Sequence, residues 1–301
     1  MSFSTLSIDW EDFGQLYGKY HYRDITPPVG AAIERQNQIM LDLLDETGNK
    51  ATFFILGMLA KYKPELVKAI AARGHEIGIH GQNHEAMFNL TPDAAKKDLQ
   101  ESVKIVSDIT GQKIHGYRAP FFSVNESNLY VLEILSDLGL TYDSSIFPIK
   151  MPRYGIKDFN EKDALYQLPN GKEIVELPLT ISTYFGKKWP VSGGGYIRLM
   201  PKFLVTKVFK DFEKQNKDSM IYMHPYEFDS ERIDVSSNYP ADVNFSGLKV
   251  FMLNLRWNLF RGSVTGKIRK LLLNHQFKTC LEKANYVKSN RNSPILLGRQ
   301  K

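Results

Sequence analysis

Two histidines four residues apart lie in the stretch H-G-Q-N-H-E, residues 80–85. Imidazole nitrogens are common ligands of transition metals, so the pair indicates a metal site. In the common metallopeptidase pattern, a glutamate follows the first histidine and both histidines lie on one face of a helix. Here Gly81 takes that position directly after a strand-like segment, which indicates a strand end or loop. A third ligand and a base must therefore come from elsewhere in the chain.

Other side chains capable of acid–base chemistry also follow apolar runs that predict strands. The first such run ends in S-I-D-W-E-D, the fourth in Y-R-A-P-F-F-S and the sixth in M-H-P-Y-E. The carboxyl ends of parallel strands lie on one side of a barrel or sheet. We therefore expect these carboxylates, the arginine and the third histidine to converge with the histidine pair.

Short apolar runs alternate with helical patterns along most of the chain. The pattern predicts strands over residues 3–9, 51–56, 75–79, 114–118, 173–179 and 220–224, and helices over 30–46, 64–73, 91–109, 125–138 and 201–216. The helix at 91–109 is the clearest, because Thr91 can cap it and Pro92 suits its first position. Strands separated by amphipathic helices predict a parallel sheet covered by helices, and the number of units favours a barrel.

Composition limits the class of protein. The 301 residues are 43% hydrophobic and 24% charged, and no segment approaches the ~20 apolar residues of a membrane span. No secretory signal is visible at the N-terminus, so we expect a cytoplasmic location. The single cysteine, Cys280, excludes an internal disulfide and a thiolate metal cluster. The net charge of +6 is not organised into a motif that reads nucleic acid, so no nucleic-acid partner is expected.

From about residue 6 to residue 228, these stretches resemble, in order, the motifs of the polysaccharide deacetylase family, which shares the NodB homology domain. They are most similar to a bacterial branch with a D-V-E-D first motif, a G-G-G-Y-x-R segment (here 193–198) and an H-P-W-E final motif (here 224–227). The resemblance implies a distorted (β/α) barrel with a C-terminal helical extension. It also implies a metal-dependent hydrolase that removes acetyl groups from the N-acetylated sugars of a polysaccharide or glycan precursor.

The resemblance assigns a metal site and a base. Asp9 matches the base that takes a proton from the attacking water, and His80 and His84 match the metal-binding histidines. The third ligand is Glu11 or Asp12: Glu11 faces the same side as Asp9 in an extended segment, whereas Asp12 requires the chain to turn. Zinc is the expected metal, although two histidines and a carboxylate also accept cobalt, nickel or iron.

Four further positions match the family's catalytic motifs. Arg118 matches the arginine that pairs with the base, and the backbone N–H of Phe121 matches the oxyanion donor. His224 matches the general acid that protonates the leaving amine, and Asp143 resembles the aspartate that supports this histidine. Gly81 and Gln82 replace the Ser or Thr that often follows the first histidine, which leaves the hydrogen bonding of that loop open.

We expect a deacetylase domain over residues 1–235 and a basic, helical extension over 236–301. The extension is typical either of a helix packed on the barrel or of an amphipathic helix that places the enzyme at the membrane periphery, near lipid-linked sugars. Two alternatives for function stay open: hydrolysis of another non-peptide C–N bond, and a catalytically silent glycan-binding protein.

Overall fold

A mostly parallel sheet runs through the centre of the structure, a computed structural model that describes residues 3–21, 32–152, 154–184, 186–238, 246–290 and 293–297. In chain order the strands are β1 (Ser4–Trp10), β2 (Thr52–Ile55), β3 (Glu76–Ile79), β4 (Gly116–Tyr117), β5 (Tyr142–Asp143), β6 (Ala164–Gln167), β7 (Glu173–Glu176), β8 (Ile181–Tyr184), β9 (Lys187–Pro190), β10 (Ser219–Met223) and β11 (Ile295–Leu296). Nine of them form one sheet in the order β10-β1-β2-β3-β4-β5-β7-β6-β11. Within this sheet β6 and β7 pair antiparallel, while β8 and β9 form a separate antiparallel pair.

Helices connect the strands and cover the sheet. They are α1 (Phe13–His21), α2 (Ala32–Thr47), α3 (Gly57–Tyr62), α4 (Pro64–Ala72), α5 (Pro92–Thr110), α6 (Tyr130–Asp137), α7 (Gly194–Leu199), α8 (Lys202–Lys214), α9 (Pro225–Phe228), α10 (Gly247–Asn258), α11 (Val264–Asn274) and α12 (Cys280–Asn290). Strands β1 and β10 are buried almost throughout, which explains why their sequences read as continuous apolar runs. Among the described residues, no helix has the length and apolar character that crossing a membrane requires.

The outer edge of β10 is covered by the segment that contains β8 and β9. The backbone N–H of Met220 donates to Thr180 Oγ1 at 2.7 Å, and that of Tyr222 donates to the carbonyl of Ser192 at 2.9 Å. These bonds satisfy polar groups that an open sheet would leave exposed. The parallel sheet and its connecting helices have the architecture of a distorted (β/α) barrel, and the fold class expected from the sequence is confirmed.

The segment after α11 crosses the amino ends of the first three strands. The backbone N–H of Lys278 donates to the carbonyl of Ser4 at 2.9 Å. The backbone N–H groups of Cys280 and Leu281 donate to Thr52 Oγ1 at 2.7 Å and to Glu76 Oε2 at 2.8 Å. The helical extension is thus fastened to the barrel at the end opposite the strand carboxyl ends. The division of the chain at residues 235 and 236 stays a prediction.

The six predicted strands and five predicted helices are present, with shifted ends. Helix α5 begins as expected, because Thr91 Oγ1 accepts the N–H of Ala94 at 3.3 Å, and it ends at left-handed Gly111. Helix α6 starts five residues later than predicted, because Asn125 and Asn128 form a hydrogen-bonded turn instead. Residues 30 and 31 of the predicted helix 30–46 lie outside the described residues. The strands that were not predicted contain two to four residues, too few for a clear periodic pattern.

His75, which lies outside the matched motifs, is buried against the ring of Phe53. Burial and the nearby charge of Lys50 lower its pKa to about 4. An unfolded chain binds a proton at this histidine below about pH 6.5, whereas the folded chain does not until about pH 4. The folded state is therefore expected to lose about 1 to 3 kcal/mol as the pH falls through this window.

The variant His75→Gln is expected to flatten this part of the stability profile. Urea denaturation of both proteins between pH 4 and pH 8 measures the difference, with the pH 8 values as the baseline for the substitution itself. Parallel profiles across the window would contradict the assignment.

Candidate active site

The residues that the sequence placed at strand ends do converge at the carboxyl end of the barrel. Ile8 of β1 is paired with Met223 of β10, so Asp9 and His224 leave two neighbouring strands at the same level. His80 and Arg118 directly follow β3 and β4, whose last residues are also paired. A parallel register therefore brings together groups that are far apart in sequence.

Asp9 and Arg118 form a buried ion pair beneath the site. Arg118 Nη1 lies 2.8 Å from Asp9 Oδ1, and neither side chain is appreciably exposed. The guanidinium also donates to Ser7 Oγ at 2.7 Å and to the carbonyl and hydroxyl oxygens of Ser144, and it lies 4.4 Å from the centre of the Phe54 ring. The buried charge is thus surrounded by acceptors, and the carboxylate of Asp9 is held in one orientation.

Glu11, His80 and His84 form a cluster whose ligand atoms all lie within 4.8 Å of one another. Oε2 of Glu11 is in close contact with Nε2 of His84 and lies 4.0 Å from Nε2 of His80. Burial opposes ionisation of Glu11, but the three surrounding histidines outweigh it and hold the pKa of its carboxyl at about 2. Two imidazole nitrogens and one ionised carboxylate are the donor set of a catalytic divalent-metal site.

The orientation of His80 fits metal binding. Its Nδ1 lies 2.8 Å from the carbonyl oxygen of Arg118, so this nitrogen carries the proton and Nε2 presents a lone pair to the cluster. Burial lowers the pKa of His80 to about 4, which keeps the imidazole neutral at ordinary pH. The residues present therefore fit a divalent metal.

The loop that carries both histidines is held by Asp98 of α5. The carboxylate of Asp98 accepts the N–H of Gln82 at 2.8 Å and that of Asn83 at 3.2 Å. Gly81 adopts φ 77°, and a Cβ at this position would lie 3.1 Å from Asp98 Oδ2. A glycine is therefore required there, and Asp98 supplies the loop hydrogen bonding that the sequence left open.

Asp12 lies outside the cluster, although it is also buried. Its Oδ2 accepts the N–H of Gly14 at 3.3 Å, at the start of α1. The chain turns at this point, but the turn directs Asp12 to the helix terminus. Glu11, two residues after Asp9 along the extended strand end, is the carboxylate that meets the histidines.

His224 is paired with Glu227, one helical turn along α9. Its Nδ1 and its backbone N lie 3.3 and 2.9 Å from Glu227 Oε2, and its Nε2 lies 3.3 Å from Glu11 Oε1. Burial lowers the pKa of His224, but Glu227, Glu11 and Asp9 outweigh burial and raise it to about 9. A protonated imidazole at the edge of the cluster is suited to give a proton to a leaving group.

Asp143 is not brought to His224, in contrast to the expectation from the sequence. Its carboxylate accepts the hydroxyl of Ser145 at 2.6 Å and the N–H of the same residue, and it interacts with Glu176. Burial raises the pKa of both carboxyls, well above the ordinary value for Glu176. The pair is therefore part of the buried network at the ends of β5 and β7.

Phe121 has a strained backbone next to the cluster. Both Phe121 and Phe122 have positive φ, at 57° and 51°, in a short 3-10 helix, and non-glycine residues in this region cost about 1 to 3 kcal/mol each. The ring of Phe121 packs edge-on against His84, with centroids 4.7 Å apart. The ring of Phe121 thus adjoins the histidine–carboxylate cluster, while the role of its backbone N–H as oxyanion donor stays a prediction.

An open groove of about 1460 Å³ leads to Glu11, His80, His84 and His224. One wall is formed by Phe121 and Tyr154, and others by Tyr196 of α7 and by Met252, Leu255 and Trp257 of α10. Trp10 is absent from the groove because it is fully buried, and its indole N–H donates to Asn37 at 3.1 Å.

Sequence reasoning missed two parts of this site. It gave Glu227 no role, although the spacing of His224 and Glu227 around Pro225 matches a capping pattern and was a usable signal. It also missed that the helical extension supplies a groove wall, because that contact depends on tertiary packing. The glycines at the start of α7 accommodate protein side chains: a Cβ at Gly194 would overlap the carboxylate of Glu227.

Comparison with known proteins finds two family models that match successive parts of the chain. Residues 22–142 match the family model "Polysaccharide deacetylase", and residues 144–284 match "Domain of unknown function (DUF3473)". The chain thus combines an α/β barrel of the NodB type with a histidine–carboxylate cluster at its strand ends. The model that matches residues 22–142 is that of the polysaccharide deacetylase family, which the motifs indicated.

The individual relatives and solved structures share about a third or less of their residues with this chain. A peptidoglycan deacetylase of Helicobacter pylori is 30% identical over 151 residues, which cover 46% of this chain and 50% of that protein. The chain spans half or less of the length of the first curated relatives that it matches. One similar solved structure is that of a Mycobacterium smegmatis protein with a provisional polysaccharide deacetylase assignment. It is 19% identical, the match covers 100% of this chain and 96% of the M. smegmatis chain, and the TM-score is 0.62. The structure of the allantoinase PuuE is 14% identical, the match covers 97% of this chain and 91% of the PuuE chain, and the TM-score is 0.57. These two structures establish the fold.

The identity of the third ligand can be tested with a matched pair of variants. Glu11→Gln removes the anionic donor and is expected to lower zinc affinity by about 100-fold or more, whereas Asp12→Asn keeps the bond to Gly14 and is expected to change it less than about threefold. Zinc competition with a fluorescent chelator measures both. A larger effect of Asp12→Asn would assign the third ligand to Asp12.

The buried ion pair is expected to dominate local stability. Arg118→Met leaves the carboxylate of Asp9 buried without a cation, so the free energy of unfolding should fall by about 3 to 5 kcal/mol. The double variant Asp9→Asn/Arg118→Met should lose less than the sum of the two single variants, because it leaves no charge unpaired. Urea denaturation of the four proteins measures this, and strictly additive losses would show that the pair is not coupled.

Glu227 and Asp143 are expected to differ in their effect on catalysis by His224. Glu227→Gln should lower kcat by about 10- to 100-fold, because His224 loses its charged partner, while Asp143→Asn should chiefly lower thermal stability. Steady-state kinetics with thermal denaturation of both variants separates the two effects. A larger loss of kcat in Asp143→Asn would favour the role that the sequence suggested.

Proposed function

We propose that the protein is a metal-dependent deacetylase that hydrolyses the acetamido groups of N-acetylated saccharides. The observation that carries this proposal is that Glu11, His80 and His84 converge with two further groups. These are Asp9, at the end of β1, and His224, which follows the neighbouring strand β10. A ligand set, a base and an acid at one end of a barrel are the parts that amide hydrolysis needs. The named deacetylases among the relatives support the same substrate chemistry.

Glu11, His80 and His84 would hold the metal, and zinc is the first candidate because its catalytic sites use this donor set. When bound, the metal would polarise the attacking water and the carbonyl group of the acetamide. The chain's own residues then do the rest. Asp9, oriented by Arg118, removes a proton from the water as it attacks the carbonyl carbon.

His224 completes the reaction on the leaving side. In its protonated form it gives the Nε2 proton to the departing amine, so that acetate and a free amino sugar are formed. Glu227 holds the imidazole through Nδ1 and favours the protonated form. The backbone N–H of Phe121 would stabilise the negative charge that develops on the carbonyl oxygen.

The groove supports an extended saccharide as substrate. Its volume of about 1460 Å³ exceeds the roughly 300 to 1,000 Å³ of an ordinary small-molecule pocket. The aromatic rings of Phe121, Tyr196 and Trp257 along its walls can pack against sugar rings. Several linked sugar units therefore fit better than a single one.

Acetate release from N-acetylated chito-oligosaccharides by the zinc-loaded protein tests the proposal. Asp9→Asn and His224→Gln are expected to lower kcat by about 10²- to 10⁴-fold while zinc content is kept, because neither residue belongs to the ligand set. His115→Gln, which changes a histidine outside the site, should have the wild-type rate. A zinc-loaded wild type that releases no acetate from any N-acetylated saccharide would refute the function.

A further inference from the structure

One face of α10 exposes a row of large apolar side chains. Leu248, Phe251, Met252 and Leu255 follow helical spacing and are 71%, 61%, 61% and 54% exposed. Leu259 continues the row just beyond the helix. We call this row the α10 face. Contiguous exposed apolar surface of this kind commonly marks an interaction site.

The opposite side of α10 already has its packing partners. Val250, Leu253 and Trp257 pack against the cluster of Phe13, Tyr17 and Tyr226 beside the active site. Asn254 Oδ1 accepts the backbone N–H of Val235 at 2.8 Å, and Arg198 Nη1 donates to the carbonyl of Trp257 at 2.8 Å. The helix is thus fixed on the barrel through the side opposite the α10 face.

The charge around the α10 face favours an anionic surface as its partner. Lys249 and Arg256 lie on α10 itself, and residues 246–274 contain no Asp or Glu. Of the other four basic residues in this segment, Arg261 and Lys267 are buried and Arg269 pairs with Glu46, so Lys249 and Arg256 are the charges beside the apolar row. In a symmetric dimer formed through this face, the same positive charges would approach one another. Anionic lipids attract them instead, and an apolar face with basic residues beside it is the pattern of a helix that lies in a membrane interface.

The α10 face is continuous with the active-site groove. Met252, Leu255 and Leu259 line the groove that also contains His224, whereas Leu248 and Phe251 lie outside the groove lining. A bilayer in contact with the α10 face would therefore adjoin the groove opening. A saccharide carried at that bilayer would be within reach of the catalytic groups.

We propose that the α10 face docks on an anionic lipid bilayer and that the substrate is a saccharide presented at this surface. Docking follows from the apolar row and the charges alone. The substrate class rests on the proposed deacetylase function.

Vesicle flotation of the full chain tests docking. The wild type should float with vesicles of equal parts phosphatidylcholine and phosphatidylglycerol, and less with phosphatidylcholine alone. Leu248→Ser/Phe251→Ser should lower the partition coefficient by about tenfold or more, because two apolar side chains no longer insert. Tyr62→Ser/Leu296→Ser, which removes equally exposed apolar groups elsewhere, is the matched control and should float like the wild type.

Acetate release from soluble chito-oligosaccharides serves as the folding and activity control. It should be unchanged in Leu248→Ser/Phe251→Ser, while release from the same sugar anchored to the vesicles by a diacyl lipid should fall with binding. Absence of wild-type flotation, or equal flotation of this variant, overturns docking whatever the activity. A wild-type dimer by light scattering that dissociates in the variant also overturns it, in favour of a second copy. Flotation without acetate release from either substrate refutes the deacetylase function and leaves lipid docking supported.

Discussion

The buried ion pair between Arg118 and Asp9 is the constraint on which the site depends. A guanidinium removed from water is tolerated only where acceptors surround it, and here they come from Ser7 and Asp9 of β1 and from Ser144, which directly follows β5. The carbonyl oxygen of Arg118 also fixes the ring of His80. One residue therefore orients both Asp9 and His80, the residues proposed as base and metal ligand, and a shift of any of these strands would leave a buried charge unpaired.

The remaining geometry is built outward from this pair. Glu11 lies two residues beyond Asp9, the loop with His84 is held by Asp98, and His224 ends the neighbouring strand. Burial and charge then give the titrating groups different states: the pKa of His80 is lowered and that of His224 is raised. A neutral His80 and a protonated His224 can thus lie beside the carboxylate of Glu11, which is the separation of protonation states that acid–base catalysis needs.

The sequence predicted the strand ends well because register in a parallel barrel follows from apolar runs and helical spacing, as the pairing of Ile8 with Met223 illustrates. Alternation along an extended segment also favoured Glu11 over Asp12, the arrangement that the structure has. The predicted partner of His224, Asp143, was wrong. The turn of α9 brings Glu227 to His224 instead, while Asp143 interacts with Ser145 and Glu176. The groove wall from α10 depends on side-chain packing across more than 200 residues of chain, which no local pattern encodes.

The central claim is that Glu11, His80 and His84 together bind one divalent metal within this network. X-ray absorption spectroscopy of the zinc-loaded protein tests it most directly, because scattering from imidazole rings can be distinguished from that of carboxylate and water oxygens. The account predicts one zinc per chain, bound by two imidazole nitrogens and by oxygen ligands, at about 2.0 to 2.2 Å. A zinc without imidazole scattering, or a protein that binds no zinc, would contradict the account.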